Sequence, residues 1–226
     1  ARELLNRLNT PELRERLETE IQREMTMRGG PERVLIAGVG SAKNVNLSGQ
    51  TLEQIAKLWE VSPAAAVIQL LIEEEATVGA VYFSMATEDV EAILASKGVA
   101  VGSDGRGMNA ETDAGKATHP RSYGTFVRIL GHYVREKKLI TLETAVYKMT
   151  GLPALRLGLG DRGHLKPGLA ADITIFDPAK VIDVADFVNP HQYAKGVEYV
   201  FVNGSLAVAS GRLTGDMAGR VLRKRS

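Results

Sequence analysis

The stretch VGSDG places a carboxylate, Asp104, directly after small and β-branched apolar residues. Further along, THPRSYGTF brings His119, Arg121 and Tyr123 within five positions of one another, on a segment anchored by Pro120 and Gly124. An aspartate at the end of a strand can take and return a proton or face a metal ion. An imidazole, a planar five-donor cation and a phenol on one segment can hold a charged small molecule, and the guanidinium fork pairs with two oxygens of a carboxylate or phosphate at once. Each group also has a plainer use. Ser-Asp-Gly is ordinary turn chemistry, and a loop arginine can pair with one of the chain's own acids. These residues by themselves leave both uses open.

The elements that would have to carry these groups follow from the pattern. Leu4, Leu5 and Leu8, then Leu13, Leu17 and Ile21, predict two opening helices, with Thr10 as N-cap and Pro11 at the first helical position of the second. RVLIAGV, GAVYFSM and VAVGSD predict strands. Between them, Thr51 with Gln54 forms a capping box, Ser62 precedes Pro63, and Thr87 caps a further helix. Alternation of strand and helix predicts parallel strands with crossover helices, an α/β sheet or barrel. Residues 106–124 read as a long loop rich in Gly and polar residues, a length that is commonly functional. TFVRILGHYVREKK and TLETAVYKMTGLPALRLG read as helical, the second interrupted at Gly151. From Leu157 the grammar turns to strands: ADITIF, then two alternating runs joined by Asn203-Gly204, a hairpin signal because both residues tolerate positive φ.

Composition narrows the function. The 226 residues carry 28 basic and 27 acidic side chains, a net charge of +1, so no large field points to nucleic acid or an anionic membrane as partner. The basic tail around Arg220, Arg223, Lys224 and Arg225 reads as a solvated end. With no cysteine there is no disulfide, thiolate nucleophile or Cys metal site. His132, His164 and His191 are scattered and no H-x-H pair occurs, which argues against a complete His-based metal site within the chain. No apolar run approaches the ~20 residues of a membrane span, and the amphipathic start is unlike a signal peptide, so a cytoplasmic location is expected.

VGSDG, HPRSYGTFVRILGHYVRE, LITLETAVYKMTGLPALRLGLGDRGHLKPGLAADITIFDP and VFVNG, in that order, closely resemble the C-terminal part of N-acyl-D-amino-acid deacylases of the amidohydrolase superfamily. The resemblance is strongest from Val99 to Leu222 and weaker over NVNLSGQTLEQIA and FSMATEDVEAIL. It implies an α/β fold: the C-terminal portion of a (β/α)8 amidohydrolase barrel over residues 1–156, including an insertion at about 23–85, and part of a small β-sandwich over 157–226. It implies hydrolysis of N-acyl-D-amino acids to a carboxylate and a D-amino acid. A cyclic-amide hydrolase of the hydantoinase or dihydroorotase kind and a non-catalytic structural module are the alternatives.

By the same resemblance, Asp104 is the catalytic proton shuttle and a candidate metal ligand, and Arg121 holds the substrate carboxylate with His119 and Tyr123 beside it. The cofactor implied for the intact enzyme is Zn2+, whose other ligands lie on earlier strands with no counterpart here. The chain is therefore expected to be a fragment, inactive and without tightly held zinc alone, whose partners are the small-molecule substrate and the missing N-terminal part of the same protein.

Overall fold

In the computed structural model, which describes residues 1–223, the apolar run Val34–Gly38 forms β1 and Gly79–Tyr82 forms β2, each where the sequence predicts a strand. They pair antiparallel, with Val34 opposite Tyr82 and Ile36 opposite Ala80. A single crossover helix returns a chain to the end from which it set out, giving a parallel neighbour. Here two helices intervene, Leu52–Trp59 (α3) and Pro63–Glu73 (α4), bent by 89° to each other, and β2 runs against β1. The expected parallel pairing does not occur among the described residues, since the second sheet is antiparallel as well.

These elements, with Arg2–Leu8 (α1) and Pro11–Met27 (α2), belong to the first of two compact units: Ala1–Ala86 together with Glu111–His119 and Asp186–Pro190. Its core gathers Met25, Val34, Ile36, Leu47, Leu52, Ile55 and Leu70. Local signals set the helix starts. Thr51 Oγ1 accepts from Gln54 N at 3.3 Å while Gln54 Oε1 accepts from Thr51 N at 2.8 Å, the reciprocal box the sequence predicts. Ser62 Oγ accepts from Ala65 N at 3.1 Å ahead of Pro63. Thr10 departs from expectation: it stands at the N-cap of α2, but its hydroxyl donates back to Asn6 O at 2.8 Å and makes no cap bond. The carbonyls ending α1 are close enough to capture it.

The second unit comprises Thr87–Ala110, Pro120–Ala185 and the residues from His191 onward. Its helices are Thr87–Ala95 (α5), Arg121–Arg128 (α6), Leu142–Met149 (α7) and Gly151–Leu157 (α8), the last two separated at Thr150 as the glycine predicts. Thr87 is the first residue of α5 itself. Beyond α6 the helix widens into a π-helix over Ile129–Glu136, which the periodicity of VRILGHYVRE does not announce. Ile173–Phe176 (β3), Val197–Val202 (β4), Ser205–Ala209 (β5) and Arg212–Leu213 (β6) form an antiparallel sheet in that order. Asn203 (φ 49°) and Gly204 (φ 86°) turn the β4–β5 hairpin, as their pairing in the sequence predicts. Ala145 and Val181 are fully buried in this unit's core beside Leu94, Ile129 and Leu130. The change of sequence grammar at Leu157 thus lies inside the second unit.

Candidate active site

Asp104 does not end a buried strand. Residues 99–109 join no strand, Val99 is 37% exposed, and the Asp104 side chain is 84% exposed. An extended run becomes a strand only beside another strand that satisfies its N–H and C=O groups in a ladder, and among the described residues no strand pairs with it; its backbone bonds at Val99 and Val101 go to Lys148 of α7. The backbone at Asp104 instead enters the left-handed region at φ 48°, and Gly105 N donates to Ser103 Oγ at 3.2 Å, so a turn is built immediately after the apolar run.

The start of α6 holds that turn. Arg121 Nε donates to the Asp104 carbonyl at 2.9 Å, its Nη2 lies 2.9 Å from Asp104 Oδ2, and Arg106 N donates to Ser122 Oγ at 3.2 Å. Gly105 is obliged to lack a side chain, because a Cβ there would meet Ser122 Cα at 3.0 Å and Arg121 O at 3.1 Å. Two residues nominated from sequence are therefore brought together, and the arginine's fork spans the carboxylate and carbonyl of one aspartate. This is the plain use of a loop arginine, pairing with one of the chain's own acids.

Tyr123, in the first turn of α6, shares a hydrogen bond of 3.0 Å with His191 Nδ1, and its ring meets His191 and Tyr193 edge-on at 5.7 Å each. Tyr193 Oη accepts from Ala110 N at 3.1 Å and so ties the aromatic group to the end of the Asp104 loop. His191 and Tyr193 are additions that sequence reasoning missed. The clustering of NPHQY ahead of a strand was the available signal, but a histidine far from Tyr123 in sequence gives no hint of its partner. His119 belongs to the first unit, where its ring lies edge-on to Phe187 at 5.0 Å, which in turn lies edge-on to Phe83 at 4.9 Å.

Two buried groups, one in each unit, carry displaced pKa values. In the first unit Glu74 is buried at the end of α4. Burial would raise its pKa, but donation from the Ser41 hydroxyl, from Asn44 Nδ2 at 2.7 Å and from the Ser41 and Gly40 amides at 2.9 and 2.7 Å lowers it to about 2. In the second unit burial pushes the Lys148 ammonium down from its ordinary value. Among the described residues no three His, Cys, Asp or Glu side chains converge on a common point as a metal ion requires. Asp104 alone, engaged with Arg121, does not fit a zinc ion.

An amidohydrolase family model matches residues 94–208. Over 195 residues the chain is 42% identical to a D-aminoacylase of Alcaligenes xylosoxydans xylosoxydans, covering 84% of this chain and 38% of that protein. A solved D-aminoacylase with a binuclear metal center superposes with a TM-score of 0.70 at 42% identity, over 84% of this chain and 37% of its own. The N-acyl-D-glutamate deacylase of Bordetella bronchiseptica, solved with zinc and a phosphonate that mimics the reaction's tetrahedral intermediate, superposes with a TM-score of 0.68 at 35% identity, over 83% of this chain and 38% of its own. The chain thus spans under two-fifths of the length of these relatives. Its fold is α/β, that of the C-terminal portion of such a barrel with part of the small sandwich, and the antiparallel sheets are those of a partial domain.

Proposed function

The chain belongs to the amidohydrolase family, and from that premise we propose that it forms part of a metal-dependent hydrolase that cleaves N-acyl-D-amino acids to a carboxylate and a free D-amino acid. Residues 1–156 are its share of the barrel and insertion, and 157–226 its share of the sandwich. The observation that carries this reading is Arg121 seated 2.9 Å from Asp104. In an N-acyl amino acid the carboxylate and the scissile amide nitrogen are borne on the same carbon, so a carboxylate anchor and a proton-transfer group must be neighbours. This pair satisfies that demand.

On binding, the substrate carboxylate takes the place of Asp104 on the guanidinium fork, one carboxylate for another, which releases Asp104 for proton transfer. Asp104 accepts a proton as water oxygen bonds to the acyl carbon, then delivers it to the amide nitrogen as the C–N bond breaks. Water and amide are consumed, acid and amine released, and the aspartate ends as it began. Tyr123, braced by His191, stands in the first turn of the same helix as Arg121. A zinc ion, if the whole protein holds one, would supply Lewis-acid stabilisation of developing charge; the described residues offer no group of ligands for it. The test is hydrolysis by the full-length protein of matched N-acetyl-D- and N-acetyl-L-amino acids and of a cyclic ureide. Turnover of the D-series is expected; turnover of the ureide alone would reassign the protein to cyclic amides.

A further inference from the structure

The motif VYKMTGLP places Lys148 on the inner face of α7, one turn after the fully buried Ala145, and only 3% of the residue is exposed. A charge in such a place is costly unless hydrogen-bonded. Its bonds go to two backbone carbonyls, Ser96 O at 2.5 Å and Val99 O at 2.9 Å, and no carboxylate pairs with it among the described residues. These carbonyls flank Lys97 and Gly98, the turn leading from α5 into the Asp104 segment. The Lys148 carbonyl in turn accepts from Val101 N at 3.0 Å.

We propose that Lys148 is a positioning residue for Asp104: one residue of α7 closes the turn that starts the Asp104 segment and fixes the direction in which it leaves. The proposal rests on Asp104 being the proton-transfer group. The segment has no strand neighbour among the described residues, so its course depends on bonds of this kind. Lys148 holds it at Ser96, Val99 and Val101, and Arg121 with Ser122 holds it at Asp104 and Arg106. Between the two anchored stretches only Gly102 and Ser103 intervene, so once a substrate carboxylate has taken the Arg121 fork from Asp104, an error in direction at Val101 reaches the carboxylate. An apolar side chain at position 148 would suit the core beside Ala145 equally well; only a donor of this length gathers the two carbonyls.

Two arms test the proposal. In the full chain, Lys148→Met is expected to speed backbone hydrogen exchange over residues 97–105 by about tenfold or more while β3–β5 exchange at the native rate. In the full-length protein it is expected to lower kcat on N-acetyl-D-amino acids by about tenfold or more with KM within about twofold, the mark of a misplaced proton-transfer group rather than of lost substrate binding. Lys148→Gln, a shorter but still donating side chain, should recover part of the kcat. Native exchange over 97–105, or an unchanged kcat, in Lys148→Met overturns the assignment. Should that variant not fold, Lys148→Gln is read by exchange in its place: exchange over 97–105 faster than in the parent supports the assignment, and native exchange overturns it. A wild-type protein inactive on all N-acyl-D-amino acids would sink the deacylase reading, while the exchange arm, which needs no substrate, scores Lys148 on its own.

Discussion

Glu74 in the first unit and Lys148 in the second are equally hidden, each 3% exposed, yet their surroundings treat the charge in opposite ways. Burial disfavours both ions. Glu74 gathers donors from Gly40, Ser41 and Asn44, and these outweigh burial to hold its pKa near 2. Lys148 gathers only two carbonyls, and burial prevails. The number and quality of bonds made to the charged form decide the sign. The purposes differ accordingly: the Glu74 bonds close upon the loop that follows β1 and serve stability, whereas those of Lys148 reach the Asp104 segment and serve placement.

The largest effect is expected at the target of that placement. Asp104→Asn in the full-length protein should lower kcat by about 10²- to 10⁴-fold, the range for loss of a general acid-base group; near-native turnover with metal still bound would remove Asp104 from the chemistry. Glu74→Ala comes next, since it strands several buried donors, and a loss of about 3 kcal/mol in urea unfolding of the full chain is expected. If it costs no more than a surface substitution, the contrast between the two buried charges collapses. Arg121→Lys keeps the charge but not the fork, and should raise KM by about tenfold with a smaller change in kcat. Thr51→Ala, which removes one side of the capping box, should cost about 1 kcal/mol by the same unfolding measurement.

The same contrast has a pH signature. The folded pKa of Glu74 lies below its unfolded value of 4.5, so its contribution is complete above about pH 4.5 and is lost as pH falls towards 2. Acid titration of the Glu74→Ala variant should therefore show a shallower loss of stability across that interval than the parent chain. Lys148 runs the other way. Its folded pKa is lowered, so the charged form weakens the fold at neutral pH and the penalty fades as pH rises towards its ordinary value of 10.5. Lys148→Met is consequently expected to leave Tm at neutral pH undiminished even as it frees the Asp104 segment.

What could be read from the chain before folding is what closes over a few residues. The Thr51–Gln54 box, the Ser62 cap and the Asn203–Gly204 hairpin turn each find their partners within four positions, so residue type and spacing suffice to predict them. The Thr10 cap failed because a competing acceptor, Asn6 O, was as near in sequence as the intended donors. The Asp104 strand failed for a longer-range reason: an apolar run can propose a strand, but a ladder requires a neighbouring strand, and no strand pairs with residues 99–104 among the described residues. The π-helix after α6 was equally hidden, since one widened turn hardly disturbs an apolar period.

For the candidate site, the sequence by itself determined the chemical inventory: a carboxylate after an apolar run, an arginine close to a histidine and a tyrosine, no cysteine, and an ordered set of motifs that identified the family. Only the tertiary structure decided that Arg121 lies against Asp104, that Tyr123 meets His191, and that a lysine on the buried face of α7 reaches carbonyls about fifty residues earlier. Residue identity states what a group can donate or accept. Which partner it finds is settled by packing across the chain, because a buried charge has to take whatever acceptors the fold delivers to it.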